Sequence, residues 1–163
     1  MSVCVVADTG PLIALAGSGQ LGLLRAAYTR VVVPEAVHDE LLEGGAFALG
    51  VAAYQRATWI EVMAAAPEPS LLALLGRGEA SVITLGVSLK ADCVLIDEQK
   101  ARKIASSVYN LTVMGTVRVL LDAKREKRLA SVKDALEGML TNGYRLHEAI
   151  VEYALKEAGE TEE

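Results

Sequence analysis

VCVVADTGPLIAL, residues 3–15, joins a continuous apolar run to an acid and then to a helical pattern. A strand that is apolar on both of its faces is typical of a parallel sheet buried between helices. We therefore predict a buried strand over residues 3–7 that ends at Asp8. Gly10-Pro11 then permits a turn into a helix over residues 11–17, because proline suits the first helical turn.

The rest of the chain alternates in the same way between short apolar runs and longer helical patterns. Cys93 to Ile96 predicts a second buried strand, with Asp97 at its end. Further strands are predicted over 31–33 and 111–114, and an edge strand over 59–63, where the alternation is weak. Helices are predicted over 21–28, from Pro34 to a stop at Gly44-Gly45, then over 46–57, 79–90, 98–108, 116–127, 131–142 and 146–158. This alternation predicts an α/β fold whose mainly parallel sheet is covered by helices on both faces.

The composition is that of a folded domain. The 163 residues suffice for one ordinary core, and 52% of them are hydrophobic, which excludes wholesale disorder. We expect a single domain over residues 1–163, with a core over about 3–128, C-terminal helices over about 131–158 and an acidic tail over 159–163 that frays.

Charge and composition argue against several classes of function. Sixteen Lys and Arg against 21 Asp and Glu leave a net charge of −5, which disfavours binding nucleic acid by bulk positive charge. The two cysteines and two histidines, Cys4, Cys93, His38 and His147, do not have the spacing of zinc ligands, and both cysteines are predicted to be buried thiols. The chain has neither an uncharged apolar stretch of about 18 residues nor a signal-peptide pattern, so we expect a cytoplasmic protein without a membrane span.

Four acids occupy positions from which they could line the ligand site of a parallel sheet. Asp8 and Asp97 stand at the carboxyl ends of two buried strands, where α/β sheets bind their ligands. Glu40 lies at the edge of the apolar stripe of its helix, and Glu79 opens the helix after Gly76-Arg77-Gly78. Each alone is explained as simply by a helix cap or a solvated charge. Brought together, such acids would repel one another unless Mg²⁺ or Mn²⁺ lay between them, a site suited to the hydrolysis of phosphate esters.

Four segments resemble, in order, the motifs of a PIN domain, and most closely those of the VapC-type branch of toxin-like PIN proteins. The segments are VVADTGPLIAL, VPEAVHDEL, GRGEASVITL and VLIDEQKARKIA, and the resemblance covers residues 3 to about 121. It implies a three-layer α/β/α sandwich with a mainly parallel central sheet. It also implies a metal-dependent ribonuclease that hydrolyses RNA phosphodiester bonds.

Carried over by position, the resemblance implies that the catalytic metal ligands are Asp8, Glu40, Glu79 and Asp97. Thr9 and Thr116 are candidates for supporting the metal ligands or contacting the substrate. Local positive charge makes further residues candidates for holding phosphates, which are Lys100, Arg102, the basic run at 124–128 and Arg77. At the third acidic position the family more often has Asp. With Glu79 at that position, the chain is similar to a less characterised PIN-like variant.

The resemblance also implies binding partners. These are an RNA substrate, a second copy of the chain in a homodimer, and a cognate antitoxin that inhibits a toxin by entering the acidic cleft. The alternative is a catalytically weak or inactive PIN-like module that binds a partner or regulates it.

Three other enzyme classes share parts of the pattern. Asp8-Thr9-Gly10 is also the signature of aspartic proteases, but these have an all-β fold. A phosphatase of the haloacid-dehalogenase type would need a second Asp where Gly10 stands. A phospho-receiver domain would need an acceptor acid after a middle strand, where the third predicted strand offers Met63-Ala64. The sequence therefore disfavours all three classes.

Overall fold

The computed structural model describes residues 3–43 and 48–161. The strands are β1 (Cys4–Ala7), β2 (Arg30–Pro34), β3 (Ile60–Met63), β4 (Cys93–Leu95) and β5 (Val113–Met114). The helices are α1 (Thr9–Gly17), α2 (Gly22–Ala27), α3 (Glu35–Glu43), α4 (Ala48–Arg56), α5 (Pro69–Leu74), α6 (Arg77–Ser88), α7 (Gln99–Ser107), α8 (Thr116–Arg125), α9 (Val132–Thr141) and α10 (Glu148–Glu157). The helices flank one five-stranded sheet, which confirms the predicted α/β/α sandwich.

The strand order is β3-β2-β1-β4-β5, and every neighbouring pair is parallel. The strand β1 lies between β2 and β4, with Val6 paired to Val32 on one side and to Val94 on the other. The order of the strands therefore reverses between β1 and β4. Open α/β sheets bind ligands in the crevice at such a reversal, outside the carboxyl ends of the strands.

The central strands are fully buried, as their apolar runs predict. Val5, Val6 and Ala7 of β1 are completely inaccessible to solvent, as are Val94 and Leu95 of β4. The strand β3, in contrast, is half-exposed at the sheet edge, which confirms the edge strand predicted over 59–63. The buried thiols of Cys4 and Cys93 are confirmed as well, and both are free.

Some predicted boundaries differ from the observed ones. Pro34 was expected to open a helix, but it ends β2, where it pairs with Met63, and α3 begins at the next residue. Proline is tolerated there because its fixed φ also suits an extended residue at the end of a strand. The predicted stop at Gly44-Gly45 lies outside the described residues.

The helix α6 begins two residues before its predicted start, because the extended Gly76 is its N-cap. This places Glu79 within the first turn.

The C-terminal tail is not frayed at Glu160, contrary to expectation. Its carboxylate accepts hydrogen bonds from Lys124 Nζ at 2.8 Å, from Ser131 Oγ at 3.0 Å and from the backbone N–H groups of Val132 and Lys133. Burial opposes ionisation, but these donors outweigh it and hold the pKa of Glu160 at about 2. The carboxylate thus caps α9 from a distant part of the chain, which no local pattern reveals.

Within the described ranges, none of the helices has the length and apolar character that a membrane crossing requires.

Gly86 marks the closest packing of α6 on the sheet. A Cβ at this position would lie 2.7 Å from Val94 Cγ1 and 3.1 Å from Leu111 Cδ1. Gly86→Ala should lower the free energy of unfolding by about 1–2 kcal/mol, because overpacking a closed core outweighs the gain in helix propensity. Denaturant unfolding measures the change.

Gly138→Ala in α9 is the matched control. Its Cβ would meet Ser18 Cβ at an ordinary 3.6 Å, so the free energy of unfolding should rise by about 0.5–1 kcal/mol. Stabilisation by both substitutions would contradict the tight contact between α6 and β4.

Candidate active site

A cleft of about 430 Å³ opens at the carboxyl ends of β1 and β4, where the strand order reverses. Its walls include all four acids singled out in the sequence, which are Asp8, Glu40, Glu79 and Asp97. A fifth acid, Glu98, and the cation Arg77 also line it. The fold therefore gathers the predicted carboxylates into one place.

Asp8 is the most buried of these acids, with 7% of its surface exposed. It takes the N-cap position of α1, but its carboxylate makes no capping hydrogen bond. Asp8 therefore has the cap position that the simpler interpretation expects, but its side chain does not cap the helix. Burial raises the pKa of Asp8 to about 6, opposed by the Thr9 backbone N–H and reinforced by the negative charges of Glu40 and Asp97.

Glu40 reaches the cleft from α3 and is held there by a hydroxyl. Thr9 Oγ1 donates a hydrogen bond to Glu40 Oε2 at 2.6 Å. The neighbouring wall needs a glycine, because a Cβ at Gly78 would lie 3.1 Å from Glu40 Oε2 and 3.8 Å from Asp8 Oδ1. Gly78 thus allows the first turn of α6 to approach both acids.

Glu79 and Glu98 form an acidic pair at the mouth of the cleft. Glu98 is the N-cap of α7, where its side chain accepts the backbone N–H groups of Lys100 and Ala101. These bonds lower the pKa of Glu98. Burial, the charge of Asp8 and the hydrogen bond to Glu98 together raise the pKa of Glu79 to about 7. Glu79 is therefore the acid of the pair that takes up a proton more readily, and it hydrogen-bonds to Glu98.

Asp97 accepts three hydrogen bonds. Thr116 donates its backbone N–H to Oδ1 at 2.8 Å and its hydroxyl to Oδ2 at 2.5 Å, and the Tyr144 hydroxyl also donates to Oδ2. Asp97 is not the cap of α7, since Glu98 has that place. Its carboxylate is instead oriented by the start of α8 and by the segment between α9 and α10.

Sequence reasoning missed two residues of this site. Glu98 directly follows Asp97, and a second acid at the end of a buried strand could have drawn attention to it. Tyr144 lies outside the motifs, and only tertiary packing places its hydroxyl on Asp97.

The predicted phosphate-binding residues are dispersed. Arg102 lies behind Asp97, where its Nη1 donates to the backbone oxygen of Ile96 at 2.7 Å. Lys100 is exposed and is not among the residues that line the cleft, and Lys124 is paired with Glu160. Within the described lining of the cleft, Arg77 supplies the positive charge.

A family model described as a PIN domain matches residues 4–160. The chain belongs to the PIN-domain family. PIN domains are generally nucleases that use divalent metal ions, so the family implies a nucleic-acid substrate. The match extends past residue 121 and includes α9, Tyr144 and α10, which the motifs alone left outside the resemblance. No curated protein matches the chain.

The cleft fits a divalent cation by its donor chemistry. Carboxylate oxygens are the ligands that Mg²⁺ and Mn²⁺ prefer, and a cation would offset the repulsion that raises the pKa values of Asp8 and Glu79. Over residues 3–43 and 48–161, no three Asp, Glu, His or Cys side chains already stand in an arrangement that could hold a metal ion. Hydroxyl donors hold Glu40 and Asp97 in their present positions.

The raised pKa values predict that the metal-free protein loses stability as the pH rises. The ordinary pKa values of Asp8 and Glu79, 3.8 and 4.5, become about 6 and 7 on folding, so the folded chain binds more protons in this range. Between pH 5 and pH 8 in EDTA, the free energy of unfolding should fall by about 1–1.5 kcal/mol because of Asp8, and the partly exposed Glu79 should add a contribution that solvent screening reduces. Denaturant unfolding at both pH values measures the fall.

Asp8→Asn should reduce this fall, whereas Asp39→Asn, at an exposed acid of α3, should not change it. An equal fall in the wild-type protein and Asp8→Asn would contradict the raised pKa of Asp8.

Tyr144→Phe removes a hydroxyl that donates to an ionised carboxylate. Hydrogen bonds to charged groups contribute about 1.5–3 kcal/mol, so the free energy of unfolding should fall by about that amount. Tyr153→Phe, at a side chain that is 57% exposed, should change it by less than about 0.5 kcal/mol. Equal effects of the two substitutions in denaturant unfolding would show that the Tyr144 hydroxyl does not support Asp97.

Proposed function

We propose that this PIN-domain protein is a metal-dependent endoribonuclease that hydrolyses RNA phosphodiester bonds with Mg²⁺ or Mn²⁺. The observation that carries the proposal is the gathering of five carboxylates in one cleft at the reversal of strand order. Perturbed pKa values in a cleft are typical of functional sites, and two of these acids have them.

In this proposal the catalytic acids Asp8, Glu40, Glu79 and Asp97 hold the cation. The cation, when bound, supplies charge neutralisation and Lewis-acid activation for hydrolysis of the phosphodiester. Thr9 orients Glu40, and the hydroxyls of Thr116 and Tyr144 orient Asp97. The hydrogen bond between Glu79 and Glu98 helps to keep Glu79 close to the other acids before the cation binds.

The cleft must also accept a polyanion. Arg77 lines the same wall as Glu79 and can donate to a phosphate oxygen with its forked guanidinium. The cation and Arg77 together offset the negative charge that would otherwise repel the substrate. The carboxylates therefore position the reaction, and the positive groups admit the phosphodiester.

We further propose that the protein is the cytoplasmic toxin-like member of a toxin–antitoxin pair and that it forms a homodimer. The resemblance to the VapC-type branch supports both parts. Arrest of growth on induced expression, lost in Asp8→Asn, would support the toxin role. Light scattering of the purified protein measures the oligomeric state.

Asp8→Asn should abolish the cleavage of single-stranded RNA, and EDTA should stop cleavage by the wild-type protein. Thr9→Val should slow it by about 10–100-fold, because it removes the hydroxyl that orients Glu40. Gel analysis of labelled RNA with Mg²⁺ or Mn²⁺ measures these rates, and Asp39→Asn is the control for loss of a carboxylate outside the cleft.

The thermal unfolding of the same proteins distinguishes the alternative function. Mn²⁺ should raise the melting temperature of the wild-type protein and of Asp39→Asn, but not of Asp8→Asn. RNA that survives both metals, together with a melting temperature that Mn²⁺ does not change, would favour the inactive partner-binding module.

A further inference from the structure

A second groove adjoins the acidic cleft and is rich in arginine. It has a volume of about 360 Å³ and shares Asp97 with the cleft as part of its wall. We call it the arginine groove and define it by Arg102, Arg118, Arg125, Leu146, Ile150 and Tyr153. The first three residues belong to α7 and α8, and the last three to the C-terminal segment that ends in α10.

We propose that the arginine groove binds the backbone and one base of a single-stranded RNA next to the acidic cleft. The inference rests on the proposed nuclease function, because a strand bound at the cleft must leave it along an adjoining surface. Asp97 lines both cavities, so the groove is directly adjacent to the cleft. Of the residues that define the groove, the sequence marks Arg102 and, within the basic run at 124–128, Arg125 as candidates for holding phosphates.

The charge of the groove is opposite to that of the cleft. Among its described lining residues, three are arginines and one, Asp97, is an acid. The chain as a whole carries −5, so a phosphodiester backbone needs a local cluster of this kind in order to approach. The groove therefore complements a polyanion that the cleft would repel.

Arg118 and Arg125 are each held in place by a hydrogen bond and keep further N–H donors for a ligand. Arg118 Nε donates to Asp122 Oδ1 at 3.0 Å, and Arg125 Nη1 donates to the same oxygen at 3.1 Å. Their side chains remain 56% and 59% exposed. A guanidinium has five N–H donors, so each of the two can still bind a phosphate oxygen. Asp122 thus holds both arginine side chains in position.

The opposite wall offers an apolar and aromatic surface. Ile150 and Tyr153 are three positions apart on α10 and therefore share one face of the helix, where they are 43% and 57% exposed. Leu146, just before α10, lines the same groove. A base stacks on an aromatic ring while its phosphate is held by nearby cations, which is how single strands are bound without sequence readout. This arrangement favours single-stranded RNA over an acidic protein segment, which would have no need of a planar ring.

The test compares two double variants with the same loss of charge. Arg118→Ala with Arg125→Ala removes two arginines of the groove, and Arg25→Ala with Arg56→Ala removes two exposed arginines elsewhere. All proteins also carry Asp8→Asn, which prevents cleavage during the measurement. Fluorescence anisotropy with a labelled single-stranded RNA of about a dozen nucleotides, in Mg²⁺ over a range of salt concentrations, gives the dissociation constants.

The groove variant should bind RNA at least tenfold more weakly than the parent. Its slope of log affinity against log salt should be smaller by about 1.4, since each phosphate contact to a single strand contributes about 0.7. The other double variant should change affinity less than twofold. Arg118→Lys with Arg125→Lys should restore part of the affinity, because it keeps the charges, and melting temperatures confirm that each variant is folded.

Tyr153→Ala should weaken binding by about five- to a hundredfold without changing the salt slope, and Tyr153→Phe should restore it. Equal weakening by the two double variants would overturn the proposal in favour of a general charge effect. Unchanged RNA binding by the groove variant would also overturn it, and would leave an acidic protein segment as the occupant to test.

The failure of the groove and the failure of the nuclease are distinguishable. If the double variant Arg118→Ala with Arg125→Ala, in the otherwise wild-type chain, cleaves RNA at an unchanged KM, the proposed role of the groove is wrong and the nuclease function stands. If RNA binding depends on the groove but the chain cuts no RNA, the role of the groove stands and the nuclease function is wrong.

Discussion

The parallel pairing of β1 with β4 is the constraint on which the rest of the site depends. The Asp8 N–H donates to the Leu95 oxygen at 2.9 Å, so the backbone leaving β1 is fixed directly against the end of β4. Because β2 also pairs with β1, the chain turns away on both sides and a crevice opens at the strand ends. Asp8 and Asp97, far apart in sequence, therefore line one cleft. The other acids come to it from α3, from α6 and from the start of α7.

This convergence has an electrostatic cost that the fold reduces in more than one way. Asp8 is buried beside other carboxylates, so its ionised form is disfavoured. Glu79, whose pKa is raised, hydrogen-bonds to Glu98, while hydroxyl donors bond to Glu40 and Asp97. Such an arrangement stabilises the fold less than apolar side chains of similar size would, since buried charges need partners merely to offset their desolvation. Its presence in a cleft is therefore better explained by binding than by stability.

The sequence predicted what local patterns encode. Continuous apolar runs identified β1 and β4, and the acids at their ends followed from the rule for parallel sheets. Glu40 and Glu79 looked like solvated or helix-start charges, and only the family motifs marked them as site residues. Tyr144 could not be predicted, because its role comes from a contact with Asp97 across 47 positions of the chain. Glu160 was missed for the same reason, since the N–H groups it caps belong to a helix that begins 28 residues earlier.

The C-terminal segment is consequently part of the site and not an appendage to it. Asn142 Nδ2 donates to the Gly17 oxygen at 2.6 Å, which fixes the end of α9 against α1, the helix that starts beside Asp8. Two residues later the Tyr144 hydroxyl lies against Asp97, and a Cβ at Gly10 would meet it at 3.7 Å. Glu160 then closes the segment onto α9 and Lys124. Because these contacts lie on both sides of α10, the helix that carries Tyr153 is held at a fixed place beside the acids, and the segment that orients Asp97 also builds the wall of the arginine groove.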